Sequence, residues 1–145
     1  MVAIESTPEF VSGVYQRMQA ALEELRQRLD RPMGLADKVV LSNLDDTSAE
    51  DLNPGHSYLM LRPDRVALQD VLGQTVMLQF MQTQRTTTAV PTTIHCDHLI
   101  QARMEGQTDL AASLHENSEV YDFLRAASAR FGAGFWGPGA GIIHQ

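Results

Sequence analysis

The chain has 145 residues, enough for one domain with a real core, and its 43% hydrophobic and 20% charged content is ordinary for a globular protein in water. Eighteen acidic residues against 11 basic ones give a net charge of −7, which argues against the clustered Lys and Arg that track nucleic-acid phosphates. No apolar stretch is long enough to span a bilayer, and the opening MVAIESTPEF has two glutamates and no Lys or Arg, unlike a secretory signal or an Arg-rich transit peptide, so the expected location is cytoplasmic.

Val14, Met18, Leu22, Leu25 and Leu29 recur at helical spacing and predict a helix over 12–30, stopped by Pro32. A second, shorter helix is expected over Leu35–Leu41. Residues 45–57 are polar, with Asn53-Pro54-Gly55 as a turn signal. Tyr58–Leu61 reads as a short strand leading into Arg62-Pro63-Asp64-Arg65. Val66–Met81 reads as one helix, in which Gly73 costs about 1 kcal/mol against Ala and so implies a close packing contact or a kink.

After a polar loop at 83–88, the β-rich stretch Ala89–Ile94 is interrupted by Pro91, which predicts an edge strand or a strand start. A helical turn is expected over Leu99–Met104. Thr108 is placed to cap a long helix, Asp109–Ala129, with Leu110, Leu114, Tyr121 and Leu124 as its buried stripe. Alternating helices and short strands make the fold class α/β, with a short, mostly parallel sheet flanked by helices. The whole reads as one domain over 1–145, leaving room for a disordered lead-in over 1–11.

Gly132-Ala133-Gly134-Phe135-Trp136-Gly137 matches the letters of a dinucleotide fingerprint. It follows a helix and runs into Pro138, whereas that fingerprint follows a strand and opens a helix, so a tight glycine-rich turn is expected instead. The sequence stops after the apolar pair Ile142-Ile143 and then His144-Gln145. A sheet cut there would leave an apolar edge, so a second copy or a companion chain is expected to cover it.

The densest functional cluster is Ile94-His95-Cys96-Asp97-His98, at the end of a β-rich run where α/β sheets usually bind ligands. Asp97 beside His98 can hold that imidazole as a general acid; the alternative is that these side chains cap a helix or satisfy buried groups. His95 and His98 also suggest a metal, but two ligands do not make a zinc site, so no metal is assigned. Arg62 and Arg65 can bind a carboxylate or pair with Asp64 or Asp70. Cys96 is the only cysteine, which excludes an internal disulfide and an iron–sulfur site built from this sequence alone.

Three long motifs in order, Leu61-Arg62-Pro63-Asp64-Arg65-Val66-Ala67, Ile94-His95-Cys96-Asp97-His98-Leu99-Ile100 and Gly141-Ile142-Ile143-His144-Gln145, resemble the aconitase family. The resemblance runs from about Val11 to the end and corresponds to the N-terminal portion of a much larger family member. It implies dehydration and rehydration of a tricarboxylate with a [4Fe–4S] cluster. It puts the family's Asp–His acid pair on Asp97 and His98, a further active-site histidine on His144 and a carboxylate-binding glutamine on Gln69. It also implies that the three cluster cysteines, the carboxylate-clamping arginines and the serine base lie beyond Gln145. Gly137 and Ala140 stand where mitochondrial members commonly have an arginine and a serine, and Thr86–Thr88 also departs from the family's usual loop.

The expectation drawn from all this is a stand-alone enzyme without a cofactor, with His98, Asp97 and His144 as catalytic residues and Gln69, His95 and Arg65 as substrate-binding residues. Its acid–base chemistry would dehydrate, isomerise or cyclise a small oxygenated intermediate. The alternative is a non-catalytic fragment or subunit of a larger iron–sulfur hydratase, in which a partner supplies the cluster.

Overall fold

The computed structural model describes residues 4–48 and 51–144. Its contacts divide the chain into two compact units, Ser6–Asp64 and Arg65–Gln145, the latter together with Met1–Glu5.

In the first unit, α1 covers Pro8–Leu29 and starts four residues earlier than its apolar spacing predicts. Thr7 explains the difference: its hydroxyl accepts the Phe10 N–H at 3.2 Å, and Pro8 sits where its missing N–H costs nothing. Asp30 ends the helix in the left-handed region at φ 45°, just ahead of Pro32. The second helix, α2, runs Leu35–Leu41, as its sequence predicts. Arg31 grips Asp37 through two bonds of 2.8 and 2.9 Å, and Asp37 also accepts the Gly34 N–H. That guanidinium, with the Gly34 N–H, holds the Asp37 carboxyl down at about 2.

Leu25, Leu41 and Leu44 form the core of this unit, with Ala21, Leu29, Met33, Leu52 and Leu59 packed around them. Burying Leu25 completely stabilises the unit by about 1.5–3 kcal/mol. The strand expected at Tyr58–Leu61 does not form. Leu61 makes only an isolated antiparallel bridge to Leu44, and Tyr58 is almost fully exposed. Four apolar residues without a neighbouring strand to pair with do not make a sheet.

The second unit holds a three-stranded parallel sheet in the order β1 (Val66–Gln69), β2 (Thr92–His95), β3 (Gly134–Trp136). Helix α3 (Asp70–Gln82) connects β1 to β2, and α4 (Gly106–Glu116) with α5 (Ser118–Phe131) connects β2 to β3. The α/β class with a short parallel sheet is as the sequence predicts. Its details differ in several places.

Val66–Gln69 is a strand and not the first turn of a helix, because it pairs residue for residue with Thr92–His95. Helix α3 begins only after Gln69, whose side chain caps it. β2 is the central strand, so of the two readings of Pro91 the strand start holds and the edge strand does not. Pro91 is accommodated just before the strand begins, where its carbonyl accepts the Val66 N–H at 3.0 Å. The predicted turn at 99–104 is irregular, because the Arg103 and Met104 amides are drawn to the buried Asp109 carboxylate. The predicted long helix is two, broken at Asn117, and Glu105, not Thr108, caps the first of them.

Alternation along β2 sends Ile94 and Cys96 into the helices, where they meet Met77, Tyr121, Leu124 and Ala127. Gly73 faces this core. A methyl placed there would lie 3.5 Å from Leu68 and 3.7 Å from Ile94, so helix and sheet approach closely and no kink is involved. On the opposite face, the glycine-rich segment expected as a turn becomes β3. A methyl at Gly134 would fall 2.6 Å from the Trp136 ring, 2.9 Å from Ile4 and 3.2 Å from Thr93. Gly134→Ala is therefore expected to cost about 1–3 kcal/mol in urea denaturation. An unchanged midpoint would mean that β3 does not pack this tightly.

Candidate active site

Parallel strands deliver their following residues to one rim. Asp70 follows β1, Asp97 and His98 follow β2, and the loop carrying His144 follows β3. Asp70 is fully buried at the first position of α3, where the helix dipole favours a carboxylate. Its two oxygens accept the His98 and Leu99 backbone N–H groups, each at 3.2 Å. One of them also lies 3.4 Å from His98 Nδ1. Asp70 thus fixes the turn that presents His98.

Asp97 fixes the ring. Its Oδ1 is 2.7 Å from His98 Nδ1, and its Oδ2 accepts the Ile143 N–H at 3.1 Å. Burial raises the Asp97 pKa, but the Ile143 N–H, the His98 hydrogen bond and the two nearby imidazoles outweigh it and leave the carboxyl below its ordinary value. An ionised Asp97 only accepts, so the Nδ1 of His98 carries a proton and Nε2 faces outward. There it meets His144 Nε2 at 2.8 Å, the rings nearly perpendicular with centroids 4.7 Å apart. Gly139 at φ 85° and Gly141 at φ 139° turn the backbone in conformations that favour glycine, and bring residues 143–144 back onto the rim.

Of the six residues expected to carry the site, the structure brings Asp97, His98 and His144 together. Gln69 and His95 stand beside them as register partners at the ends of β1 and β2. The Gln69 side-chain oxygen caps α3, accepting the Val71 and Leu72 N–H groups. His95 bonds Thr93 Oγ1 at 2.9 Å and stacks on Trp136. Burial lowers the His95 pKa, against the pull of Asp97 and with a further push from Arg65. Arg65 is not brought to the cluster by its backbone. It precedes β1, at the opposite end of the sheet, and donates to the Ile4 carbonyl at 2.8 Å. Asp70 is the member that sequence reasoning missed as a site residue. The sequence carries no signal for it, because Val66–Met81 reads as one helix with Asp70 in its interior.

The thiol of Cys96 has no part in this rim. It is 1% exposed in the core, and burial, aided by Asp70, pushes it up to about 12. Iodoacetamide at pH 8 is expected to leave it unmodified until the protein is unfolded. Alkylation of the native protein would refute its burial. A [4Fe–4S] cluster does not fit these residues, since one buried, protonated thiol cannot replace several thiolates.

In the other unit, a cleft of about 270 Å³ is lined by Leu41, Leu52, Pro54 and Leu59. Its only charged side chains, Arg31 and Asp37, are already paired with each other. Among the described residues no helix is long and apolar enough to cross a membrane.

Residues 37–145 match the Aconitase family (aconitate hydratase). Over 131 residues the chain is 50% identical to the mitochondrial aconitate hydratase of Emericella nidulans, 51% to that of Aspergillus fumigatus and 49% to that of Saccharomyces cerevisiae. Each alignment covers 90% of this chain and 17% of the relative, so the chain spans about a sixth of the length of these proteins. All three are mitochondrial by name, which overturns the cytoplasmic expectation. That expectation rested on the acidic character of ten residues, too little to weigh against the designation of relatives this similar.

Proposed function

The chain belongs to the aconitase family, and from that premise we propose that it forms the proton-handling part of an aconitate hydratase site within a longer protein. This is the alternative that the sequence raised; the stand-alone, cofactor-independent enzyme is the less supported reading. The mitochondrial names of the relatives support a mitochondrial setting, and their length supports the view that the remaining site residues lie on polypeptide outside these 145 residues.

The observation that carries the proposal is the hydrogen-bonded run from the Ile143 N–H through Asp97 and His98 to His144. It joins side chains 46 residues apart, and its outer end reaches solvent, with 34% of the His98 side chain exposed. The chemistry follows from the atoms. Asp97 holds the Nδ1 proton of His98 in place. One proton lies between the two Nε2 atoms, where an entering substrate oxygen can displace one imidazole and take the proton from the other. Loss of a hydroxyl as water needs such a donor, and hydration returns the proton along the same path. Asp70, by holding the His98 and Leu99 backbone, limits the ring's freedom to turn away.

The test is an exchange. In the Saccharomyces cerevisiae relative, the matching segment is replaced by this chain, and citrate turnover is measured beside that of the chain alone. The expected result is activity in the chimera and none in the isolated chain. Turnover by the isolated chain in the presence of a chelator would restore the stand-alone reading.

A further inference from the structure

Helix α3 differs from the other helices in what it shows to solvent. Its only charged side chain is Asp70, and that one is fully buried. By contrast, α5 carries Glu119, Asp122, Arg125 and Arg130, with Asp122 and Arg125 well exposed. Val71, Leu72, Val76, Leu78 and Met81 stand between 38% and 65% exposed on the outside of α3. A helix that is apolar all round belongs in an interior, not on a surface. We propose that the outer face of α3 is a docking surface, and that its occupant is the further polypeptide of the longer protein, the part that completes the hydratase site. The inference rests on the reading of this chain as one part of such a protein.

Three observations carry this. First, Val71, Leu78 and Met81 share one side of the helix and make a stripe about 15 Å long, the seat for another apolar helix face. Gln74 fills the gap in the stripe, and its amide nitrogen turns back to the Asp70 and Val71 carbonyls at 3.1 and 3.4 Å. No charge along the stripe therefore opposes its dehydration. Second, the stripe starts at the rim. Val71 follows Asp70, whose carboxylate holds the His98 and Leu99 backbone, so a body seated there comes up beside the turn that presents His98. Third, the alignments with the relatives cover only 17% of each of them, which leaves ample polypeptide to cover α3.

A second copy of the chain is the rival occupant, seated stripe against stripe about a twofold axis. It would hide α3 but bring no new kind of residue to the rim. The occupant that also supplies the remaining site groups accounts for both the uncharged helix and its position.

The test is hydroxyl-radical footprinting of the chimera in which this chain replaces the matching segment of the Saccharomyces cerevisiae relative. Met77, 2% exposed on the same helix, is the internal reference, and Met81, 43% exposed in this chain, is the reporter. The expected result is that Met81 and Leu78 react as slowly as Met77, whatever the protein concentration. Leu78→Lys lowers the thermal midpoint of the chimera, and Leu78→Met leaves it near the parent value. Neither readout uses turnover. An inactive chimera with a protected Met81 counts against the hydratase reading alone, and an active one with a reactive Met81 against the docking surface alone. Rapid modification of Met81 beside a protected Met77 would overturn the proposal. So would protection that disappears on dilution, the mark of a second copy, or a Leu78→Lys chimera as stable as its parent. A chimera that leaves Met77 itself reactive has not received the chain on this surface, and overturns it as well.

Discussion

Replacing His98 with alanine in the hydratase chimera is expected to lower kcat by about 10²–10⁴-fold, the span that a positioned general acid contributes. The Michaelis constant should move far less, because the imidazole acts on the departing hydroxyl and little binding energy is assigned to it. Asp97→Ala should fall in the same range for a different reason. His98 then loses the acceptor that fixes Nδ1–H, and the residue before His144 loses the partner of its N–H. Asp97→Asn retains an acceptor oxygen and should recover part of the loss. If both alanine variants keep more than about a tenth of the parent kcat, a different group donates the proton and the assignment fails.

The second large effect concerns stability. Asp70→Ala is expected to destabilise the unit containing the sheet by about 2–6 kcal/mol, since it strands two part-buried backbone donors and each such donor costs about 1–3 kcal/mol. Urea denaturation followed by far-ultraviolet circular dichroism measures the shift. Under partly destabilising conditions, the spectra of His98 and His144 should change before those of α4 and α5, because the turn bearing His98 is the part left unsupported. A shift below about 0.5 kcal/mol, the range typical of unimportant surface substitutions, would show that water replaces the carboxylate and that Asp70 is not structural.

The reach of the sequence is clearest around β2. The placement of Asp97 and His98 after the β-rich run Ala89–Ile94 needed nothing beyond local pattern, although the strand itself is Thr92–His95. Val66–Gln69 did not yield to the same reasoning, because four residues with apolar spacing fit a helix as well as a strand. Only pairing with Thr92–His95 decides it, and that partner lies more than 20 residues away. The break at Asn117 was hidden in the same way, since Leu114 and Tyr121 continue a helical stripe on paper. In the folded chain Leu114 is 45% exposed, and it is Ser113 that turns inward to meet the Tyr121 hydroxyl at 2.6 Å.

The site shows the same division. Asp97 beside His98 is a local feature and could be read. The meeting of His98 with His144 depends on three parallel strands and a loop with two positive-φ glycines, which no spacing rule encodes. His144 was named through family resemblance, and Asp70 was passed over because it reads as lying inside one helix over Val66–Met81, as a possible ion-pair partner for Arg62 or Arg65.

Because β1, β2 and β3 run in one direction, each enters the sheet from the same side and the segment that follows it reaches the same rim. The rim is thereby divided among three short inserts on a common frame: a backbone anchor after the first strand, an Asp–His pair after the second and a second imidazole after the third. Each insert can be exchanged without recutting the helices. A library that varies only residues 137–143, with Asp70, Asp97 and His98 kept, would reset how far the second imidazole stands from the first.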